Sequence, residues 1–317
     1  MNKRTHSPLY EHLRPRGTPL GDLAPGAVAP ALDPALAGSL AVDRATRDRL
    51  VIFDPASAPL LRPLVAADDV APWHVGATDR WILAVPAGRA ADVARHQAIA
   101  RHLGGLAPPA AAGASPWWAL PDTLAAPAPP PRIIVAAEPP TVAWDETVAL
   151  VAGPATVVAP AEPYWLGLLG SRVGRLMLAA GAPVAAIPIP EAPGPARANL
   201  EGLALSAAAL AAQLDALRRA VLRRLVADFG PPGVYPGPLL SRWWTLEFVQ
   251  LHRAVRAELR NDIPERYRPT WAQIHADERA THDEAAERLA GLQAAIDAQA
   301  LALYGLEPGE PEALARP

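Results

Sequence analysis

The stretch from Pro131 to Glu191 restricts the possible folds more than any other part of the chain. Pro131-Arg132-Ile133-Ile134-Val135 and, after a loop, Thr147 to Val158 have the length and β-branched content of strands. After Pro163, Leu166, Leu169, Val173 and Leu176 or Met177 recur at three- and four-residue steps. That spacing predicts a helix with one apolar face. Ile187-Pro188-Ile189-Pro190-Glu191 is a proline-rich exit. Strand, strand and helix in this order predict a mixed α/β (α+β) fold.

Beyond Gly194 the pattern turns helical. Leu203 to Phe229 has no internal proline and sets Leu210, Leu214, Leu217, Val221 and Leu225 in one stripe. Thr245 to Arg260 and Thr270 to Leu303 predict two more helices, the latter ended by Tyr304-Gly305. An antiparallel pair or small bundle follows. Upstream, Asp43 to Leu50 predicts a short helix, Trp81 to Val85 a strand and Ala90 to Leu103 a helix. Ala107 to Ala114 is low-complexity, and Thr123 to Pro131 is an extended connector. The expected division is a poorly structured segment 1–40, a sheet-containing module 41–195 and a helical part 196–317.

Composition narrows the chemistry. The 38 prolines and 51 % hydrophobic residues indicate an apolar core joined by stiff connectors. There is no cysteine, hence no disulfide, thiolate site or Cys nucleophile. No apolar leader-type segment opens the chain and no run of about twenty apolar residues is evident, so a cytoplasmic chain with no membrane partner is expected. The net charge is −3, and Lys3 is the only lysine. Between Gly104 and Gly170 the only cation is Arg132, against Asp122, Glu138, Asp145, Glu146 and Glu162. No Gly-rich phosphate loop, no Asn/Asp-Pro-Pro-aromatic motif and no G-x-S-x-G elbow occurs. No catalytic residues and no cofactor are expected.

Motif order carries a resemblance. Pro131-Arg132-Ile133-Ile134, Trp144-Asp145, Tyr164 to Ser171 and Pro188-Ile189-Pro190 stand in sequence. Upstream are Asp54-Pro55-Ala56-Ser57, Leu61-Arg62-Pro63-Leu64, Trp81-Ile82-Leu83 and Pro116-Trp117-Trp118-Ala119-Leu120. Downstream are Asp262-Ile263-Pro264 and Leu303-Tyr304-Gly305-Leu306-Glu307-Pro308. Together they resemble the TaqI-like C-terminal specificity domain, the target-recognition module of adenine-specific DNA methyltransferases and fused restriction–modification enzymes. The methyltransferase core itself has no counterpart here. The resemblance implies duplex DNA and a methyltransferase or restriction subunit as partners. It also implies Arg62, Arg132, Arg172 and Arg175 as DNA contacts, although Arg132 opens a strand and could equally pair with a carboxylate. Where the family carries a DNA-facing hairpin, this chain has only Ala24 to Pro30.

Other candidates have a bland reading beside the sharp one. His275, Glu278 and His282 share a helical face, but the charged neighbourhood favours a solvated surface over a metal site, and no metal is expected. Arg218, Arg219, Arg223 and Arg224 suit the wet side of a helix better than a phosphate track. Arg253, Arg256 and Arg260 are expected to pair with Glu258 and Asp262. Trp117-Trp118 and Trp243-Trp244 are expected to cover core edges or meet a protein rather than stack on bases. The expected function is a non-catalytic DNA-specificity subunit or fragment of a restriction–modification system. The alternative is a degenerate specificity domain serving as an interaction module, which the acidic centre and missing hairpin motivate.

Overall fold

The computed structural model of the chain describes residues 8–109, 116–125, 128–231 and 234–315. Lys3, residues 110–114 of the low-complexity stretch, residues 126 and 127 of the connector and Pro232-Gly233 lie outside the described residues. The architecture is mixed α/β. Its strands are β1 (Thr18–Pro19), β2 (Val28–Pro30), β3 (Ala41–Asp43), β4 (Leu61–Ala66), β5 (Val70–Ala71), β6 (Trp73–Val75) and β7 (Arg80–Leu83). They continue with β8 (Val85–Pro86), β9 (Ala119–Leu120), β10 (Arg132–Ala137), β11 (Pro140–Asp145), β12 (Leu150–Ala152), β13 (Ala155–Val158) and β14 (Pro188–Ile189). The helices are α1 (Pro8–Leu13), α2 (Leu20–Leu23), α3 (Pro34–Leu40), α4 (Arg44–Phe53), α5 (Gln97–Gly104) and α6 (Asp122–Ala125). After them come α7 (Pro163–Gly170), α8 (Arg172–Ala179), α9 (Gly194–Phe229), α10 (Phe248–Glu258), α11 (Arg268–Tyr304) and α12 (Glu310–Ala315).

The chain divides into two compact units, Met1–Leu205 with Ile296–Pro317, and Ser206–Ala295. The expected boundaries at 40 and 195 follow the change in sequence pattern and the family resemblance, whereas these units follow packing. In the described part of the first forty residues, Leu9, Leu13 and Leu20 are fully buried and β2 joins a sheet. A few well-placed leucines among alanines and prolines are enough to dock such a segment, because each fully buried one contributes about 1.5–3 kcal/mol.

The first unit holds a six-stranded sheet, order β2-β13-β10-β11-β6-β5, and a four-stranded sheet, order β12-β4-β7-β3. Strand β10 carries Ile133, Ile134 and Val135, all buried, at its centre. The expected loop after Val135 is instead strand β11. It pairs antiparallel with β10 from Arg132↔Asp145 to Ala137↔Pro140, turning at Glu138-Pro139. The expected single run from Thr147 to Val158 splits at Gly153, whose φ of +108° suits glycine alone. On one side β12 runs parallel to β4; on the other β13 runs antiparallel to β10. The turn at Gly153-Pro154 thus moves the chain from one sheet to the other.

The single helix expected across Leu166 to Met177 is two. Tyr164 to Gly170 are all buried, so α7 is a core helix with no wet face. Glycines permit this packing. A Cβ at Gly170 would lie 2.6 Å from the Trp73 ring, and one at Gly167 would lie 2.7 Å from Leu200 Cγ. Ser171 then restarts the chain: its Oγ accepts from Gly174 N (3.1 Å) and donates to Leu168 O (2.6 Å). Tyr164 and Tyr304 fix the proline exit by donating to Pro190 O and Pro188 O, each at 2.7 Å. Burial pushes the Tyr164 phenol up to about 12 and Tyr304 further still.

In the second unit α9 and α11 run antiparallel, with Arg218 against His282 and Phe229 against Trp271 at 5.1 Å. Val221, Leu225, Leu251, Val255, Trp243 and Trp271 form its core. An 18-residue window of α9 has a mean hydropathy of 1.3, apolar enough by length and composition alone to cross a membrane. The expectation of no such run overlooked it, because the window is built largely from alanine.

Candidate nucleic-acid interface

The four arginines implied by the resemblance lie on separate elements. Arg132 is withdrawn from any ligand. Its side chain is 2 % exposed, its Nε donates to Asp145 Oδ2 at 3.0 Å, and its Nη2 donates to that same oxygen and to Ala149 O (2.8 Å). It therefore closes the β10–β11 hairpin from inside, and the DNA contact inferred for it is corrected to an internal ion pair. Arg172 is exposed at the start of α8 and pairs with Glu312, while its backbone N–H is held by Asp297 Oδ1 at 2.7 Å. Arg175, one turn further along α8, and Arg62 on β4 are half-buried, with no ion pair among the described residues.

A stronger concentration of cationic side chains lies between α4 and α5. Asp43 caps α4 by accepting from Thr46 N (2.8 Å), which holds its carboxyl below the ordinary value. The helix buries Leu50 and presents Arg49 and Phe53, four residues apart, on an open face. The segment Ala87–Arg95 leads into α5, which buries Ile99 and Leu103 and presents Arg101 and His102. Between them is a cleft of about 640 Å³ lined by Arg49, Phe53, Asp54, Arg95, Gln97, Arg101 and His102. The side chains of Arg49 and Arg101 make no hydrogen bond or ion pair among the described residues, although the Arg49 charge is felt at Asp43 and His102. Arg95 shares Asp92 with Arg89, at 3.6 and 3.1 Å. Asp54, the one carboxylate in the lining, is engaged by His96 Nδ1 at 3.1 Å. Burial, and secondarily Arg49, hold His102 below the ordinary imidazole value, so it is neutral at pH 7. The cleft therefore offers two uncommitted guanidiniums, a third only partly engaged, and an aromatic wall. That combination suits phosphates flanking an apolar contact.

The histidines and tryptophans of the second unit make a different arrangement. His275 and His282 do not sit on a solvated face; each is 3 % exposed. His275 Nε2 lies 3.3 Å from Trp243 O, and His282 Nε2 accepts from Arg218 Nε at 3.1 Å. Trp244 stacks on His282 at 5.0 Å, and the Arg218 guanidinium lies 4.2 Å over the Trp244 ring. An arginine donating to His282 Nε2 occupies the position a metal would need. Trp243 is fully buried and Trp117 and Trp118 pack partly buried against the first unit's core, so these pairs cover core. On α10, Arg253 and Arg256 are exposed and make no ion pair among the described residues. Glu258 is taken by the amides of Leu239 and Leu240, and Asp262 by His252 and Arg268.

Comparison with known proteins gives two findings. Residues 194–299 match the family model described as "Domain of unknown function (DUF8810)". Among solved structures, the chain is similar to MmeI, a Type IIL restriction–modification enzyme in complex with DNA, at 13 % identity and a TM-score of 0.47. That similarity covers 91 % of this chain and 34 % of that one, so the chain spans about a third of the enzyme's length. No curated protein matches.

Sequence reasoning missed Arg49, Arg95 and Arg101 because it followed motifs. The available signal was Arg44, Arg47 and Arg49 within the predicted helix ahead of an unusually placed Ile52-Phe53. Bringing Arg101 to them takes the tertiary packing of α5 beside α4, which no local pattern encodes.

Proposed function

We propose that the chain is a non-catalytic DNA-specificity module of a restriction–modification system, one that positions a separate adenine-specific methyltransferase or nuclease on duplex DNA. The α4–α5 cleft carries this reading, since it brings Arg49, Arg95 and Arg101 together around one opening with a single carboxylate, Asp54, in its lining. The motif order from Asp54 to Pro308, which resembles the TaqI-like specificity domain, supports it. In this reading Arg49, Arg95 and Arg101 grip phosphates, and Arg62 and Arg175 are further contacts.

The test is binding of the full chain to random duplex across a salt series. Three phosphate contacts give a slope of log K on log salt of about −2.7, or about fortyfold weaker binding from 50 to 200 mM. Arg49→Glu with Arg101→Glu should flatten the slope by about two. Duplex binding that is absent, or insensitive to salt, would defeat the reading.

A second reading keeps the fold as an interaction module without DNA binding. The burial of Arg132 against Asp145 favours it, because it removes one of the four contacts the resemblance implies. Charge reversal at Arg62, Arg172 and Arg175 separates the two. Loss of DNA affinity with partner binding kept would exclude the second reading.

A further inference from the structure

The end of α4 carries two large apolar side chains that are mostly exposed. Ile52 is 76 % and Phe53 77 % exposed, and among the described large hydrophobic residues only Tyr235 is more so. Single exposed apolar residues are ordinary. These two are adjacent in the chain, and Phe53 lines the cleft together with Arg49, Arg95 and Arg101. Their support is rigid: Asp54 N donates to Leu50 O (2.9 Å), Ser57 N to Asp54 O (3.0 Å), and the buried Ser57 hydroxyl to the same carbonyl (2.6 Å). His96 anchors the Asp54 carboxylate from the α5 side. The tip is thus held before any ligand arrives, so little ordering is needed on binding.

We propose that Ile52 and Phe53 form an apolar wedge that enters a base step of duplex DNA while the cleft arginines hold the flanking phosphates. This deepens the DNA-binding reading and rests on it. The charge of the surroundings selects the occupant: an apolar tip beside Arg49, Arg95 and Arg101 complements a stacked, polyanionic duplex. Side chains of this type separate base pairs and kink DNA, with burial of the wedge offsetting lost stacking. Flexible pyrimidine–purine steps open most easily and are the expected points of entry.

Separating base pairs unwinds the duplex, and this can be read without knowing the recognised sequence. A closed circular plasmid is relaxed by a topoisomerase in the presence of the full chain at low salt, and its linking-number distribution is compared with that of the free plasmid. The wild-type chain should shift the distribution in proportion to the protein bound. Ile52→Ala with Phe53→Ala should melt at the same temperature and, at protein concentrations adjusted to give the same amount bound to the plasmid, leave the distribution unshifted. Arg49→Glu with Arg101→Glu should lose both binding and shift. Wild-type binding without a shift, or an equal shift from the alanine variant, overturns the wedge and leaves the DNA-binding reading intact. Absence of duplex binding by the wild-type chain overturns both.

Discussion

Replacing Arg132 by Met separates a structural arginine from a DNA-binding one. The substitution keeps most of the apolar volume and removes the guanidinium, leaving Asp145 buried with the Thr147 N–H at 2.8 Å as its remaining donor. A buried charge stripped of its partner costs about 3–5 kcal/mol. Protonation of Asp145 sets a ceiling. Holding a carboxyl neutral at pH 7 against an unfolded value near 3.9 costs about 4 kcal/mol, and at pH 5 about 1.5 kcal/mol. The unpaired carboxyl has a raised value in the folded variant, so the penalty must grow as pH rises above the unfolded value. Urea unfolding followed by tryptophan fluorescence at pH 5 and pH 7 measures it. Arg132→Met with Asp145→Leu should recover most of the loss, because an apolar pair needs no solvation. The folded single variant should bind duplex as wild type does. A loss below about 1 kcal/mol at pH 7, or one independent of pH, would refute the assignment.

Three further outcomes test the packing. Ser171→Ala removes the cap of α8 and a buried hydroxyl bond, and should cost about 1–2 kcal/mol by urea unfolding. Gly170→Ala drives a methyl into the Trp73 ring and should cost about 1–3 kcal/mol, with a changed tryptophan signal. Burial holds His275 below the ordinary 6.5, outweighing the Trp243 carbonyl. The unfolded chain therefore takes up the proton first, and stability is full above about pH 6.5 and falls as the pH drops toward the folded value. The urea midpoint of the helical unit should fall between pH 7.5 and 5.5, by less in His275→Gln.

Strand β10 is legible from its β-branched run, α4 from the capping Asp43, and α9, α10 and α11 from stretches of apolar residues recurring at helical steps. Strand β11 is not, since Pro139 and Pro140 read locally as breakers while the hairpin uses them at its turn. The split of α7 from α8 is hidden because glycine and serine fit a helical pattern in either register, and only Trp73 against Gly170 shows why the chain closes there. Within the site, Asp43 as a cap and Arg132 as one half of a possible ion pair are readable from neighbours in sequence. The α4–α5 cleft is not, because its two walls are some fifty residues apart and each alone reads as an ordinary wet helix face.

Net charge is a poor guide to what this chain can bind. The acidic centre from Gly104 to Gly170 is mostly engaged in its own fold. Asp145 is matched by Arg132, Asp122 accepts from Gly88 N, Glu146 from the Trp144 indole, and Glu162 pairs with Arg197. Of the five, Glu138 alone has no such partner among the described residues. Beyond about 8 Å at physiological salt, exposed charges are largely screened, so a ligand in the cleft responds to the charges that line it. There the lone carboxylate is held by His96, while Arg49 and Arg101 face outward uncommitted. A chain of net charge −3 can therefore present a local cationic surface. If the cleft rather than the overall charge governs association, reversing Asp68 or Glu138 should barely move the salt slope, whereas reversing Arg101 alone should reduce it by about one.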